Sequence, residues 1–243
     1  MMWGVVLLDE STPRYEVLRP DTETVMRKAL ILTWMCACKG GPDSGDVLEP
    51  LDMAERLDSD RARAGLVMNE AALLGGVSAD GEIGDLKIYN DRAAFIIQGM
   101  RDGHYYVRYG GAVIDADVVR PVGEIGRDII DDMGVMAGLG RLVEPDSLEV
   151  IQDGRDGGAA VIRMTGHAAP MELLTGSVED PGIVPTREVF FTTQYTLEPG
   201  SPLLRMETTV EWLDEPTTVQ LGDVLVCSMD VSDPYHPGGG LDT

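Results

Sequence analysis

Apolar and polar residues alternate with period two along much of the chain after about residue 66, which is the pattern of strands with one buried face. Asp85-Leu-Lys-Ile-Tyr and Arg92-Ala-Ala-Phe-Ile-Ile-Gln flank Asn90-Asp91, a pair that tolerates left-handed backbone, so the two runs predict a hairpin. Asp102-Gly103 predicts a reversal before a strand that begins at His104 and runs through Tyr105, Tyr106 and Val107 to Tyr109. Ala112 to Val119 predicts the next strand. Leu148 to Gln152 and Ala159 to Met164 form a further pair around the Gly/Asp turn 153–158. The two longest runs are Glu188 to Leu197 and Leu203 to Leu213, joined by Glu198-Pro-Gly-Ser-Pro202. In the second run Leu204, Met206, Thr208, Val210 and Trp212 share one face, and Arg205, Glu207, Thr209 and Glu211 the other. Thr217 to Met229 predicts a last strand pair, broken near Gly222-Asp223. Eight or more short strands with few helices predict an all-β fold, an antiparallel β-sandwich.

The first 65 residues have another texture. Residues 1–25 hold one short apolar run and a polar stretch with two prolines, neither able to pack alone. Arg27 and Lys28 then precede the apolar run Ala29 to Met35, and small Ala37 precedes Cys38. This order resembles a bacterial lipoprotein signal, in which a positive and then an apolar region lead to a lipid-acceptor cysteine. Met35 and Cys36 stand where that family more often has Leu and then Ala or Ser. The resemblance implies lipid attachment at Cys38, a signal peptide over 26–37 forming one leader helix, and a true start at Met26 that leaves 1–25 as an extension. It also implies an extracytoplasmic protein of the bacterial cell envelope, with the membrane as partner through its anchor. The other reading of the same run is a buried helix capped by Thr22 or Thr24. The run is too short to span a bilayer, which takes roughly 20 apolar residues. Residues 38–65 read as a Gly/Pro/Asp-rich tether followed by a short helix, from Leu51, Ala54, Leu57, Ala62 and Leu66 at helical spacing. The β domain is then 66–243. It ends on the loop composition of Asp233 to Thr243 with no closing strand, so it is expected to be incomplete at its C-terminus.

Charge narrows the function. A net charge of -23 repels phosphate backbones and anionic lipid heads, which excludes nucleic acid as a partner. Lipidation of Cys38 and loss of Cys36 would leave Cys227 alone, expected as a small buried hydrophobe. No spacing matches a zinc site, a nucleophile elbow, a P-loop or a dinucleotide fingerprint, so no catalytic residue and no catalytic metal ligand is nominated.

The candidate ligand-binding residues are His104 and Tyr106, in the aromatic cluster Tyr105, Tyr106 and Tyr109, and Asp115 with Asp117. Asp115-Ala-Asp117 places two carboxylates on one side of a strand. Such a pair suits calcium or a shared proton, and equally suits ion pairing with Arg120 and Arg127. His167 and His236 sit in no metal-ligand pattern. Asp80-Gly-Glu-Ile-Gly-Asp85 and Gly123-Glu-Ile-Gly-Arg-Asp128 look alike, but neither completes an EF-hand loop.

Three stretches, Gly84 to Gln98, Tyr109 to Arg120, and Tyr195 to Gly200 with Thr208 to Asp223, are similar to the N-terminal β modules of large secreted bacterial proteins. Some of those look like PHP-type metallohydrolases. The third stretch also resembles the paired strands of galactose-mutarotase-like β-sandwiches. The resemblance implies a supersandwich architecture and a sugar-related role, and it carries over no catalytic residue. The expectation is a lipid-anchored module that binds a glycan or protein partner without catalysis of its own. The alternative is a mutarotase-like sugar enzyme, or the leading module of a metallohydrolase whose active domain lies downstream.

Overall fold

A computed structural model describes residues 50–76, 78–103, 106–128, 130–137, 140–171, 189–212 and 221–227. The leader, Cys38, His104 and His236 lie outside them. The described chain is all-β, an antiparallel sandwich. Its strands are β1 (Ala62–Leu66), β2 (Leu86–Asn90), β3 (Ala93–Ile97), β4 (Val113–Val118) and β5 (Ile130–Ala137), then β6 (Arg141–Gln152), β7 (Ala160–Pro170), β8 (Val189–Leu197), β9 (Leu204–Trp212) and β10 (Leu221–Cys227). A single 3-10 turn at Glu70–Ala72 is the one helical element among the described residues, and none there is long and apolar enough to cross a membrane.

Strands β1 to β9 are neighbours in sequence order, each antiparallel to the next, and β10 returns to pair with β5. The meander is creased at β5, which among the described residues pairs with β4 only at Val113↔Met133 and with β6 only at Met136↔Leu142. Across that crease the two halves fold face to face. Ala64, Ile88, Ile97 and Val113 from the first half share one core with Ile162, Met164, Phe191, Tyr195 and Leu197 from the second. Tyr195 is fully buried there, and its hydroxyl donates to the Gly111 carbonyl oxygen at 2.6 Å.

A second core covers the opposite face of β2 to β4. Met53 and Leu57 reach it from the segment before β1, and Tyr89, Ala94, Ile96 and Ile114 supply the sheet side. Strand β2 is therefore buried at every position. The helical spacing read over Leu51 to Leu66 has this origin. Met53 and Leu57 lie four apart because both plug the sheet from an irregular segment, and β1 has already begun at Ala62.

The predicted hairpin is present, with Leu86↔Ile97 to Tyr89↔Ala94 in register. Asn90 ends β2 almost fully buried, with all of its amide capacity used. Its Oδ1 accepts from Arg92 N at 2.8 Å and Ala93 N at 3.0 Å, closing the turn. Its Nδ2 donates to the carbonyl oxygens of Glu198 and Ser201 at 2.9 and 2.6 Å, so the β2–β3 turn is fastened to the β8–β9 turn. At the sandwich edge, Ala64 N donates to Asp153 O at 3.2 Å. Gly154 has φ +79 there, and a Cβ on it would lie 2.0 Å from the Ala62 carbonyl oxygen. Only glycine fits that closure.

Three sequence expectations are revised. Tyr106 to Tyr109 is a turn rather than a strand, and β10 passes through Gly222-Asp223 without a break. Cys227 is exposed at the end of β10 rather than buried. Strand β5 and the first half of β6 were not marked by the pattern. Asp131, Asp132 and Gly134 interrupt β5, and Pro145 stands in β6, where it is accommodated beside an irregularity at Pro145/Ser147.

Asn90→Ala removes four hydrogen bonds, the buried one from the Ala93 N–H among them. It is expected to lower unfolding stability by about 2–4 kcal/mol, read as a fall in the urea midpoint at unchanged slope. A loss below about 0.5 kcal/mol would remove the fastening role.

Candidate functional site

The sequence-nominated carboxylates lie where loops cross the outer face of β2 to β4. Asp115 in β4 is fully buried and accepts from Asp80 N at 2.8 Å and Gly81 N at 3.1 Å. Asp117 pairs two-pronged with Arg120, at 2.9 and 2.7 Å, and also accepts from Arg127 N at 2.8 Å. Both arginines named from the sequence therefore contribute, one through its side chain and one through its backbone. Tyr106 is placed by its own N–H, which donates with that of Val107 to Asp132 at 2.7 and 3.0 Å.

Sequence reasoning did not single out the aspartates that do the same work nearby. Asp85 accepts from Glu82 N and Gly99 N and is paired by Arg101 at 2.9 Å. Asp128 accepts from Ala116 N at 2.7 Å. The two look-alike segments ending at Asp85 and Asp128 thus share a job, each closing a loop on a buried carboxylate. That signal was present in the sequence as a repeated Gly-Glu-Ile-Gly.

Burial sets the acidity of three of these carboxylates. It pushes Asp115 up to about 7, against the pull of its two backbone donors and with Asp128 adding repulsion. Burial likewise holds Asp128 and Asp132 up at about 6 against their backbone donors, with repulsion from Asp131 on both and from Asp117 on Asp128 adding to the rise. Asp80 Oδ2, Asp128 Oδ2 and Gln98 Oε1 are buried with no hydrogen-bond partner. Asp80, Gln98, Asp131 and Asp132 line a cavity of about 10 Å³, roughly the room of one water. Among the described residues no group of three or more His, Cys, Asp or Glu is placed to hold a metal ion. The oxygens of Asp115 and Asp117 instead hold N–H and guanidinium donors.

The second half of the sandwich presents a different surface. Four long strands run in register, and their outward positions form rows. Glu144↔His167↔Phe190↔Glu211 is one, Ser147↔Thr165↔Thr192↔Thr209 the next, and Glu149↔Arg163↔Gln194↔Glu207 the third. The side chains are half-exposed or exposed throughout, and Phe190 is the aromatic among them at 37% exposure. Ser147 Oγ and Thr165 Oγ1 are 2.7 Å apart, and Arg163 meets Glu149 at 3.2 Å. His167 stands between two carboxylates, with Nδ1 3.2 Å from Asp146 and Nε2 3.5 Å from Glu144. The sequence placed His167 in no metal-ligand pattern, because its partners Glu144 and Asp146 come from β6.

A larger cleft of about 800 Å³ opens between β1 and the β6–β7 turn, with Leu66, Met68 and Ile151 as its exposed apolar residues. Comparison of the chain with protein-family models, curated proteins and solved structures found no match.

Proposed function

We propose that this protein is a non-catalytic binding module of the bacterial cell envelope, anchored by lipid at Cys38, whose open β6–β9 face takes a neutral glycan. The observation that carries the reading is the register of that face, which aligns hydroxyl, amide, carboxylate and guanidinium groups across four strands beside one exposed aromatic ring. A sugar offers hydroxyls that both donate and accept, and C–H faces that stack on rings. Thr165, Thr192, Gln194 and Arg163 supply the polar partners, and Phe190 the apolar one. Neutral glycans are favoured over acidic ones because a chain of net charge -23 repels anionic polymers. A rigid sheet is a suitable platform, since its side chains are held by cross-strand neighbours. The leader before Cys38 supports the address, and several acyl chains on one cysteine would hold the module at a membrane where one alone is marginal.

Retention of the protein on insoluble neutral polysaccharides tests the binding face. Phe190→Ala is expected to cut retention about tenfold, the loss of a stacking contact worth about 1.4 kcal/mol, with little change in unfolding midpoint. Retention that matches wild type on every polysaccharide bound would discard this face as the site. Anchoring is tested separately. Labelled fatty acid is expected on the wild-type protein and not on Cys38→Ala, and equal labelling of the two contradicts it.

A further inference from the structure

Lys87 is out of place on electrostatic grounds. It lies in β2 at 7% exposure, on the outer face of a strand buried on both sides. Its Nζ donates to the Met53 carbonyl oxygen at 2.9 Å and sits 4.5 Å from the centre of the Tyr89 ring. No ion pair with a carboxylate is found for it among the described residues, and Asp52 acts on it only at longer range. A buried ammonium held by one carbonyl and a ring face is left short of counter-charge.

Lys87 is one of the residues lining a cleft of about 340 Å³, within the range that accommodates small ligands. The cleft runs between the segment 54–57, the loop 73–75 and the loop 117–126. Leu57, Leu73 and Leu74 give it an apolar wall, and Arg56 stands at its rim. The other charges around it are already matched. Arg63 takes Glu55, Arg120 takes Asp117, and the Tyr89 hydroxyl donates to the Glu55 carbonyl oxygen at 2.8 Å. Arg56 donates to a carbonyl oxygen, that of Arg120, at 2.8 Å. Glu124 is the remaining acid of the lining and is exposed to solvent.

We propose that this cleft is a binding site for a small organic anion, a carboxylate on an apolar body, with Lys87 as its counter-ion and Arg56 as a second donor at the entrance. The site is separate from the glycan face, so either assignment stands if the other fails. Burial pushes the Lys87 amine down to about 8, with Asp52 opposing. A bound carboxylate restores the missing charge and raises it again. Besides Asp52, the charged and titratable side chains around the cleft are Glu55, Arg56, Tyr89, Asp117, Arg120 and Glu124 of its lining, with Arg63 paired to Glu55.

Benzoate and hexanoate, with inorganic phosphate as the third probe, titrated into the full-length protein near neutral pH test the site by calorimetry and by NMR of the lysine amine. Saturable binding of benzoate or hexanoate is expected, at least tenfold weaker in Lys87→Met, with the Lys87 titration midpoint moved upward by the bound probe. Leu73→Trp fills the cleft while leaving the ammonium in place, and is expected to abolish binding even if Lys87→Met folds poorly. Preference for phosphate over both carboxylates would overturn the apolar-anion assignment. Absence of saturable binding, or affinity unchanged in both variants, would overturn the site.

Discussion

Backbone N–H groups in a loop that crosses a buried sheet face must find acceptors, and in this fold buried aspartates provide them. Strands β2 to β4 are covered on both sides, by the sandwich core on one and by irregular chain on the other. The loop N–H groups bonded there are buried or part-buried, and an unpaired buried N–H costs about as much as a lost hydrogen bond. Asp85, Asp115, Asp128 and Asp132 each project from a strand or its edge and accept two or more donors. The arrangement lets a sheet be roofed by loops instead of helices. It also places Asp115, Asp128 and Asp132 where burial disfavours their charge.

This division of labour separates two faces. The roofed half is inward-looking and carries the cleft beside Lys87. The other half, β6 to β9, leaves its outer rows exposed to solvent. Asn90 connects the two by fastening the tip of the first hairpin to the turn between β8 and β9. The binding face proposed for the module is therefore backed by the core and stitched at its end.

Much of the strand content was legible in the sequence where polar residues point outward, as in Leu204 to Trp212 and Glu188 to Leu197. It was not legible in β5 and at the boundary of β1. Asp131 and Asp132 are buried at 6% and 2% exposure, so their polarity gives the wrong face, and Met53 and Leu57 imitate a helical spacing through burial alone. Asp115 and Asp117 were recognisable as a same-side pair, but their donors come from loops as far away as Asp80. The rows containing His167, Phe190 and Gln194 depend on register across four strands, including the shifts at Pro145/Ser147 and Val150/Gln152. Register of that kind follows from packing and is not written in any one segment.

The central claim is that buried carboxylates clasp the loops while resisting ionisation, and the pH dependence of stability tests it most directly. Asp115, Asp128 and Asp132 are raised to about 7, 6 and 6 in the folded protein, above the ordinary range near 4 of an unfolded chain. The folded form then holds protons that the unfolded chain has released, so stability rises as pH falls through about 7 toward 4. Unfolding free energy from urea titration is expected to be higher at about pH 5 than at about pH 8. Because a general relief of acidic repulsion has the same sign, the decisive comparison is with Asp115→Asn and Asp128→Asn, in which that difference should shrink. An unchanged slope in both variants, or a wild-type protein less stable at about pH 5, would contradict the account.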